Sequence, residues 1–333
     1  MTLKRASLLC FFLLLLLLAP ACRREMKGTL VFVSNERDGT ISVIDAAEDR
    51  VVQTITVGGR ARGLRMGPDG KTLYVALSTP SGKVRKPDDD RIAAIEVSSG
   101  EVVASYNVGS DPEQFALSLD GRRLYISNED AGTSSVTELS TNQVIATQVV
   151  GLEPEGVTMS PDGRWVYVTS EGSSTVAVID TATNKVVKTF LVGARPRDTA
   201  FTPDGRRAFV SAENGAAVTV IDVETHSVID TIELPREGEV KPMGVCVSPD
   251  GKWVFVATGR GNSVALIDAA THSIVQMIPV GRRPWGVNIT PDGKKVYTAN
   301  GLSNDVSVID VASRKVIATI KAGDGPWGIA VRP

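Results

Sequence analysis

Residues 154–193 read PEGVTMSPDGRWVYVTSEGSSTVAVIDTATNKVVKTFLVG, and related versions of this segment recur along the chain. The segment contains four short runs rich in valine, isoleucine and aromatic residues, which are typical of β-strands. Between the first two runs, Pro161-Asp162-Gly163 favours a tight turn: proline fixes φ, aspartate bonds its own backbone and glycine tolerates positive φ. One repeat is therefore predicted to be a four-stranded antiparallel meander.

The spacing of the repeats predicts the architecture. The proline position of the turn occurs seven times, at Pro68, Leu119, Pro161, Pro203, Pro249, Pro291 and Pro333. The intervals are 51, 42, 42, 46, 42 and 42 residues, and four strands in about 40–45 residues are the period of a β-propeller blade. We therefore predict an all-β, seven-bladed β-propeller built from four-stranded antiparallel blades.

The two ends of the repeat region complement each other. Residues 28–33 (GTLVFV) match a second strand that has no first strand before it, whereas residues 328–333 (GIAVRP) match a first strand that ends within its own turn. Each end supplies what the other lacks. The predicted propeller therefore spans residues 28–333, with one blade closed by both termini.

The first 21 residues are predicted to be an export signal. Lys4 and Arg5 precede an apolar run at residues 8–18, which is too short to span a bilayer, and Ala19-Pro20-Ala21 follows as a cleavage site. Cys22, directly after this site, resembles the lipidated cysteine of bacterial lipoproteins. Simple secretion and lipidation at Cys22, with residues 22–27 as a short tether, both remain open.

Charge and cysteine content narrow the range of partners. Removing the signal takes the formal net charge from −2 to −4, which argues against a nucleic-acid partner because such proteins carry a basic surface. Cys246 lies in an apolar strand and is interpreted as a small buried hydrophobe, so no disulfide is expected. We expect an exported monomer, periplasmic or anchored in the outer membrane, with membrane attachment only through the lipid.

One face of the predicted disc collects dissimilar side chains. Two insertions, within residues 78–90 and 235–241, fall on this face, where repeat proteins commonly place binding loops. Each link into an innermost strand puts one residue beside the mouth of the central channel; we call these seven the mouth ring: Arg62, Glu113, Glu155, Arg197, Met243, Trp285 and Trp327. Arg283, Glu129 and Glu171 are predicted to stand next to the ring.

The ring allows two interpretations. The tryptophans could stack on a flat ligand while the arginines pair with its carboxylates, which predicts a small anionic ligand. Alternatively, arginine and glutamate pair with each other across blades, and the tryptophans plug the channel. The glutamates could serve as general bases, but the only histidines, His226 and His272, fall in turns on the opposite face. The sequence therefore predicts no catalytic residue, metal site or cofactor.

Several motifs resemble the YVTN family of β-propeller repeats. They are the strand ends YVTS at 167–170 and YTAN at 297–300, and the V-I-D strands that end at Asp45, Asp180, Asp222, Asp268 and Asp310. A narrower resemblance is to exported propellers associated with PQQ-dependent alcohol catabolism, carried by DPE at 111–113, NED at 128–130, EPEG at 153–156, RPR at 195–197, NGLSND at 300–305 and PWG at 326–328. This resemblance implies a periplasmic accessory protein that works near a quinoprotein dehydrogenase.

Three functions follow as hypotheses. The leading one is a non-catalytic exported propeller that binds a small anionic ligand or a partner protein through the mouth face. The alternatives are a carboxylate-based, lactonase-like hydrolase and a surface or adhesion scaffold. Seven-bladed lactonases are related in architecture, but no catalytic residue is transferred from them because the histidines such sites need are missing here.

Overall fold

A computed structural model describes residues 28–79, 83–84, 86, 89–236 and 238–332. The predicted signal (1–21), the tether (22–27) and the proposed lipidation site Cys22 lie outside the described residues. Within the described part, no helix has the length and apolar character needed to cross a membrane.

The described residues form 28 strands and one short 3-10 turn, Gly259–Gly261. In chain order the strands are β1 (Leu30–Asn35), β2 (Thr40–Asp45), β3 (Arg50–Thr56), β4 (Arg60–Met66), β5 (Thr72–Ser78), β6 (Arg91–Glu96), β7 (Glu101–Asn107), β8 (Pro112–Leu117), β9 (Arg123–Asn128), β10 (Thr133–Glu138), β11 (Gln143–Val149), β12 (Pro154–Met159), β13 (Trp165–Ser170), β14 (Thr175–Asp180), β15 (Lys185–Leu191), β16 (Pro196–Phe201), β17 (Arg207–Ala212), β18 (Ala217–Asp222), β19 (Ser227–Glu233), β20 (Val245–Val247), β21 (Trp253–Ala257), β22 (Ser263–Asp268), β23 (Ile274–Pro279), β24 (Pro284–Ile289), β25 (Lys295–Asn300), β26 (Asp305–Asp310), β27 (Lys315–Lys321) and β28 (Pro326–Arg332).

These strands make seven antiparallel four-stranded sheets, which confirms the predicted seven-bladed propeller. Six sheets are consecutive meanders, from β4–β7 through β24–β27. The remaining sheet has the order β28-β1-β2-β3, and Val31 lies opposite Val331 in its register. The blade closed by both ends of the repeat region is therefore present as predicted.

The hydrophobic core lies between neighbouring blades. One cluster joins Leu30 and Phe32 of β1 with Leu64 of β4 and Val75 of β5, and all four side chains are buried. Second and third strands are buried on both faces because each sheet is covered by a blade on either side. Fourth strands form the rim, and β15, for example, is mostly exposed.

Tyrosines of three second strands tie neighbouring blades together on the outer part of the disc. Their hydroxyls hydrogen-bond to a turn of the next blade, in the pairs Tyr125–Asn184 (2.9 Å), Tyr167–His226 (2.7 Å) and Tyr297–Asp49 (2.7 Å). The turn residues have φ between 49° and 55°, a region that asparagine, aspartate and histidine tolerate better than most residues. His226 and His272 are thus turn residues, as the sequence indicates.

The innermost strands carry an irregularity at the ring position. Pairing with the second strand shifts between Pro154 and Val157 in β12, and equivalent shifts occur in β4, β8, β16, β24 and β28. Glu155 therefore lies in a bulge, where an extra residue changes the direction of a side chain. The apolar run that predicts this strand, residues 156–160, begins two residues after β12 does, because the bulge breaks the alternating pattern.

Candidate functional site

The bulges bring six mouth-ring residues into direct contact at one opening of the channel. Arg62 contacts Glu113 and the ring of Trp327, and Arg197 contacts Glu155 and the ring of Trp285. The two tryptophans contact each other. The seventh, Met243, is buried and lines the same channel. The structure thus brings the predicted ring together at one opening.

The first ion-pair cluster joins three neighbouring blades. Glu36 Oε1 lies 2.7 Å from Arg60 Nε and 3.1 Å from Arg62 Nη2. Glu113, fully buried, pairs with Arg62 and lies 3.5 Å from Arg60 Nη1, and Asp111 lies 3.7 Å from the same nitrogen. Two cations and three carboxylates therefore share this corner of the mouth.

The second ion-pair cluster has a similar composition and lies three blades further around the ring, between the blades that begin with β12 and β16. Glu171 pairs with Arg197 and lies 2.7 Å from Arg195 Nε. Glu155 Oε1 is 3.5 Å from Arg197 Nη2, and Glu213 Oε2 is 3.0 Å from Arg195 Nε. Burial raises the pKa of Glu155, and the Arg197 charge opposes this shift. Both clusters contain more carboxylates than cations.

The tryptophans connect the two clusters. Trp285 and Trp327 are stacked, with ring centroids 6.3 Å apart and planes 26° apart. The guanidinium of Arg62 lies 5.4 Å from the Trp327 ring centroid, and Arg197 lies at the same distance from Trp285. Arg283 lies 4.7 Å from the Trp285 centroid. These separations fit cation–π contacts.

The mouth ring follows the second interpretation of the sequence for most of its members. Arg62 and Arg197 pair with glutamates of adjacent blades, and Trp327 is only 6% exposed. These two arginines are neutralised before any anion arrives. Among the described residues, Arg283 has no carboxylate within ion-pair distance, so it is the mouth arginine with charge left for an anion.

The pKa of Glu129 at the mouth departs from that of an ordinary glutamate. Burial, with the nearby charges of Glu155 and Asp111, raises its pKa to about 7, against the pull of Arg60 and Arg197. A carboxyl group with a pKa near 7 can accept and release a proton at neutral pH, which is what a general base requires. The repeat pattern predicts Glu129 beside the ring, but its pKa shift depends on burial and on distances across blades that the sequence does not contain.

Glu129 belongs to a group of three carboxylates. Oxygen atoms of Asp111, Glu113 and Glu129 lie within 4.8 Å of one another, a separation that suits a hard cation. Arg60 and Arg62 already contact Asp111 or Glu113, however, and supply positive charge at this point. The geometry therefore favours acid–base use of the free carboxyl, Glu129, over metal binding.

Four charged residues next to the ring are held in a strained backbone region. Asp111, Glu153, Arg195 and Arg283 have φ between 49° and 58°, where residues other than glycine are uncommon. Each stands two positions before its ring residue. Backbone strain of this kind persists only where the surrounding structure enforces it. It fixes the direction in which these charged side chains leave the backbone.

Below the ring, the inner strands enclose a cavity of about 470 Å³. Glu155, Arg197 and Trp327 line it at the mouth, while Met159 and Pro161 line it at the face of the P-D-G turns. The cavity thus runs the length of the inner strands. Its wall also carries polar residues that sequence reasoning missed: Arg65, Gln114, Thr158, Asp198, Thr199 and Asn288.

A signal for these residues exists in the repeats. The position after the ring residue is glycine in five blades but glutamine at Gln114 and aspartate at Asp198. Two positions further on, most blades have alanine, threonine or cysteine, whereas Arg65 and Asn288 depart from this pattern. Aligning the blades position by position would have identified the departures.

Comparison with known families agrees with this fold. Residues 157–319 match the family described as "Lactonase, 7-bladed beta-propeller", and residues 29–199 match the "Choice-of-anchor I domain". The second match covers just over half of the chain, so the protein belongs to the choice-of-anchor I domain family. The first match covers just under half of the chain and shows a similarity to seven-bladed lactonases, which agrees with the seven-bladed fold. No curated protein matched the chain.

Solved structures with the same fold come from several organisms. A putative 6-phosphogluconolactonase from Bacteroides uniformis has a TM-score of 0.76 and 17% identity, over 91% of this chain and 99% of that one. A functionally unknown protein from Desulfotomaculum acetoxidans has a TM-score of 0.75 and 19% identity, over 91% and 98%. Kuenenia stuttgartiensis hydrazine synthase has a TM-score of 0.73 and 23% identity, over 84% and 92%. At these identities the likeness concerns the fold.

Proposed function

We propose that the protein is a hydrolase of cyclic esters, with its active site at the mouth of the channel. The observation that carries the proposal is Glu129, whose pKa is raised to about 7 beside Asp111 and Glu113. The family match to seven-bladed lactonases and the likeness to a putative 6-phosphogluconolactonase support this class of reaction. The carboxylate-based alternative from the sequence is therefore preferred to simple binding.

In the proposed reaction, the Glu129 carboxylate removes a proton from a water molecule, whose oxygen attacks the carbonyl carbon of the lactone. Arg60 is close enough to Glu129 for its charge to lower the pKa of that group, and what remains of this charge beside Glu36, Asp111 and Glu113 would oppose the negative charge that develops on the carbonyl oxygen. The ring C–O bond then breaks, and the leaving oxygen takes the proton back from Glu129. The product is an open-chain hydroxy acid.

The test is lactone hydrolysis by the purified protein, measured by acid release across a panel of five- and six-membered lactones. We expect kcat/KM to rise with pH through about 7 and then level off, because the base must be deprotonated. Glu129→Gln should lower kcat/KM by roughly a hundredfold or more. Glu153→Gln, an exposed change on the same rim, is the control and should match wild type. Absence of turnover with the whole panel would refute the proposal.

A second candidate is non-catalytic binding of a flat anion. It is favoured by the stacked Trp285 and Trp327 and by Arg283, the mouth arginine that lacks a carboxylate partner among the described residues. An exported accessory role near a quinoprotein dehydrogenase would belong with this candidate. Titration with PQQ, followed by tryptophan fluorescence, tests it. Quenching that saturates and is lost in Arg283→Ala would support binding, and unchanged fluorescence would reject it.

A further inference from the structure

The interior of the channel carries two opposite charges that are not paired with each other. Arg65 extends from β4 and Asp198 from β16, and both line the cavity below the ring. In the described part of the chain, no ion pair within 4.0 Å joins them. Burial lowers the pKa of Arg65 and raises that of Asp198, and the charge of each opposes part of the other's shift, so each charge is only partly compensated where it stands.

Protein contacts fix the guanidinium of Arg65 but leave part of it available. Its Nη1 donates to the Leu64 carbonyl at 2.9 Å, and its Nη2 donates to Gln114 Oε1 at 3.2 Å and to the Val157 carbonyl at 3.4 Å. An arginine has five N–H donors. Within the described contacts, Nε–H and one Nη1–H remain for a ligand, in an orientation that the three bonds hold.

Asp198 is fixed in a comparable way from the other side. Its Oδ1 accepts a hydrogen bond from the Thr199 amide at 2.8 Å, and its Oδ2 accepts one from the Val245 amide at 3.2 Å. Each carboxylate oxygen has a further lone pair. The carboxylate can therefore accept additional hydrogen bonds from a donor placed in the cavity.

Further polar atoms on the cavity wall lack partners. Thr199 Oγ1 and Trp327 Nε1 are buried without a hydrogen bond within the described chain, on residues that are 3% and 6% exposed. Thr158 Oγ1 is in the same condition. Buried polar atoms are nearly always hydrogen-bonded to protein or water, so these atoms are available to whatever molecule fills the cavity.

We propose that the channel is a binding site for a small zwitterion, with its carboxylate on Arg65 and its ammonium group on Asp198. A ligand of zero net charge fits a wall that carries one charge of each sign. It would bring a counter-charge into direct contact with Arg65 and with Asp198, which act on each other only from beyond ion-pair distance, and its remaining atoms would reach Thr158 and Thr199. A volume of about 470 Å³ is within the usual range for a small-molecule site.

The test uses the wild-type protein and a set of ω-amino acids of increasing length: glycine, β-alanine, 4-aminobutyrate and 6-aminohexanoate. Because both charges are fixed, one length should bind at least tenfold more tightly than the shortest and the longest in calorimetry. The matched probes that lack one charge, such as propionate and propylamine, should bind at least tenfold more weakly. Flat affinity across the lengths would overturn the proposal, as would equal binding of propionate. If no probe binds at 10 mM, the channel holds water and not a zwitterion, and this result would also overturn the proposal.

Variants give a second test. Arg65→Met and Asp198→Asn should each weaken binding of the preferred probe at least tenfold, whereas Arg282→Ala, exposed and outside the cavity, should not change it. The length series needs no variant, so the proposal stays testable if a channel variant fails to fold. Unchanged binding in both folded channel variants would contradict it. These binding measurements do not depend on lactone hydrolysis, so the two proposals can fail separately.

Discussion

At the scale of single residues, the mouth shows how identical positions in seven repeats acquire different chemistry. Glu129 and Glu171 occupy matching positions in neighbouring blades, but Glu171 pairs with Arg195 and Arg197 while the pKa of Glu129 rises to about 7. Burial is the main cause of the raised pKa of Glu129, and the nearby charges of Glu155 and Asp111 add to it. The surroundings of a carboxyl, more than its place in the repeat, decide whether it can exchange a proton at neutral pH.

This raised pKa predicts a pH-dependent stability. The unfolded chain ionises Glu129 near its ordinary pKa of 4.5, whereas the folded protein keeps the proton until about 7. The folded state therefore binds more protons in this window, so its stability falls as pH rises from 4.5 to 7 and then levels off. Glu129→Gln should remove the part of this fall in the free energy of unfolding that comes from Glu129. We expect that part to be about 1–2 kcal/mol after allowance for solvent screening of a partly exposed group.

Urea unfolding at pH 4.5, 6 and 8 measures this effect. The free energy of unfolding of Glu129→Gln relative to wild type should increase across the series. Glu153→Gln, exposed on the same rim, should follow wild type at each pH. Parallel curves for wild type and Glu129→Gln would contradict the raised pKa and would also weaken the case for a general base.

At the scale of strands, neighbouring inner strands approach closely enough to exclude a side chain. A Cβ at Gly286 would lie 2.5 Å from the Trp327 carbonyl oxygen, and one at Gly156 would lie 2.4 Å from the Arg197 carbonyl oxygen. Second strands complete the contact, since Ser34 Oγ donates to the Arg62 carbonyl at 2.6 Å and Ser127 Oγ donates to the Glu155 carbonyl at 2.7 Å. The backbone of the mouth ring is therefore anchored by the preceding blade.

Gly286→Ala tests the close approach. Because the obstructing atom is backbone, the inner strands must separate, and we expect a loss of about 1–3 kcal/mol in the free energy of unfolding. Trp285 and Trp327 should also move apart, which changes their near-ultraviolet circular dichroism. Gly172→Ala is the control because the atom nearest to its Cβ, Leu152 Cβ, lies 3.0 Å away, further than the 2.5 Å at Gly286, so a smaller displacement makes room for the methyl group. Equal losses in both variants would contradict this account.

The sequence predicts the positions of the strands far better than it predicts side-chain contacts between blades. Turn chemistry at Pro161-Asp162-Gly163 and the alternating apolar runs are local properties, so they indicate β12 and β13 directly. The start of β12 was missed because its bulge depends on pairing with the next strand. Strand connectivity assigns the mouth ring to one face of the disc. It does not decide whether Arg62 binds a ligand or pairs with Glu113, since that depends on side-chain distances across blades.

At the scale of the whole molecule, the blades form a closed circle, and one blade combines the last described strand with the first three. Strand β28 pairs with β1, at the opposite end of the described chain, and with it brings Trp327 to the mouth beside Trp285. Val33 and Ile329 are buried in the core that joins this blade to the one before it. Closure of the fold and completion of the mouth ring therefore depend on the same strand.

Removal of residues 326–333 tests this dependence. The truncated chain loses the inner strand of its closing blade and exposes Val31 and Val33, so we expect it to unfold at a markedly lower urea concentration or to aggregate. A synthetic peptide of residues 324–333, added in excess, should restore wild-type unfolding and the tryptophan circular dichroism signal because β28 makes only non-covalent contacts with β1. The same peptide carrying Ile329→Asp should fail, since that position is 6% exposed and apolar. A truncated chain as stable as wild type would show that the closed circle of blades does not need the pairing of β28 with β1.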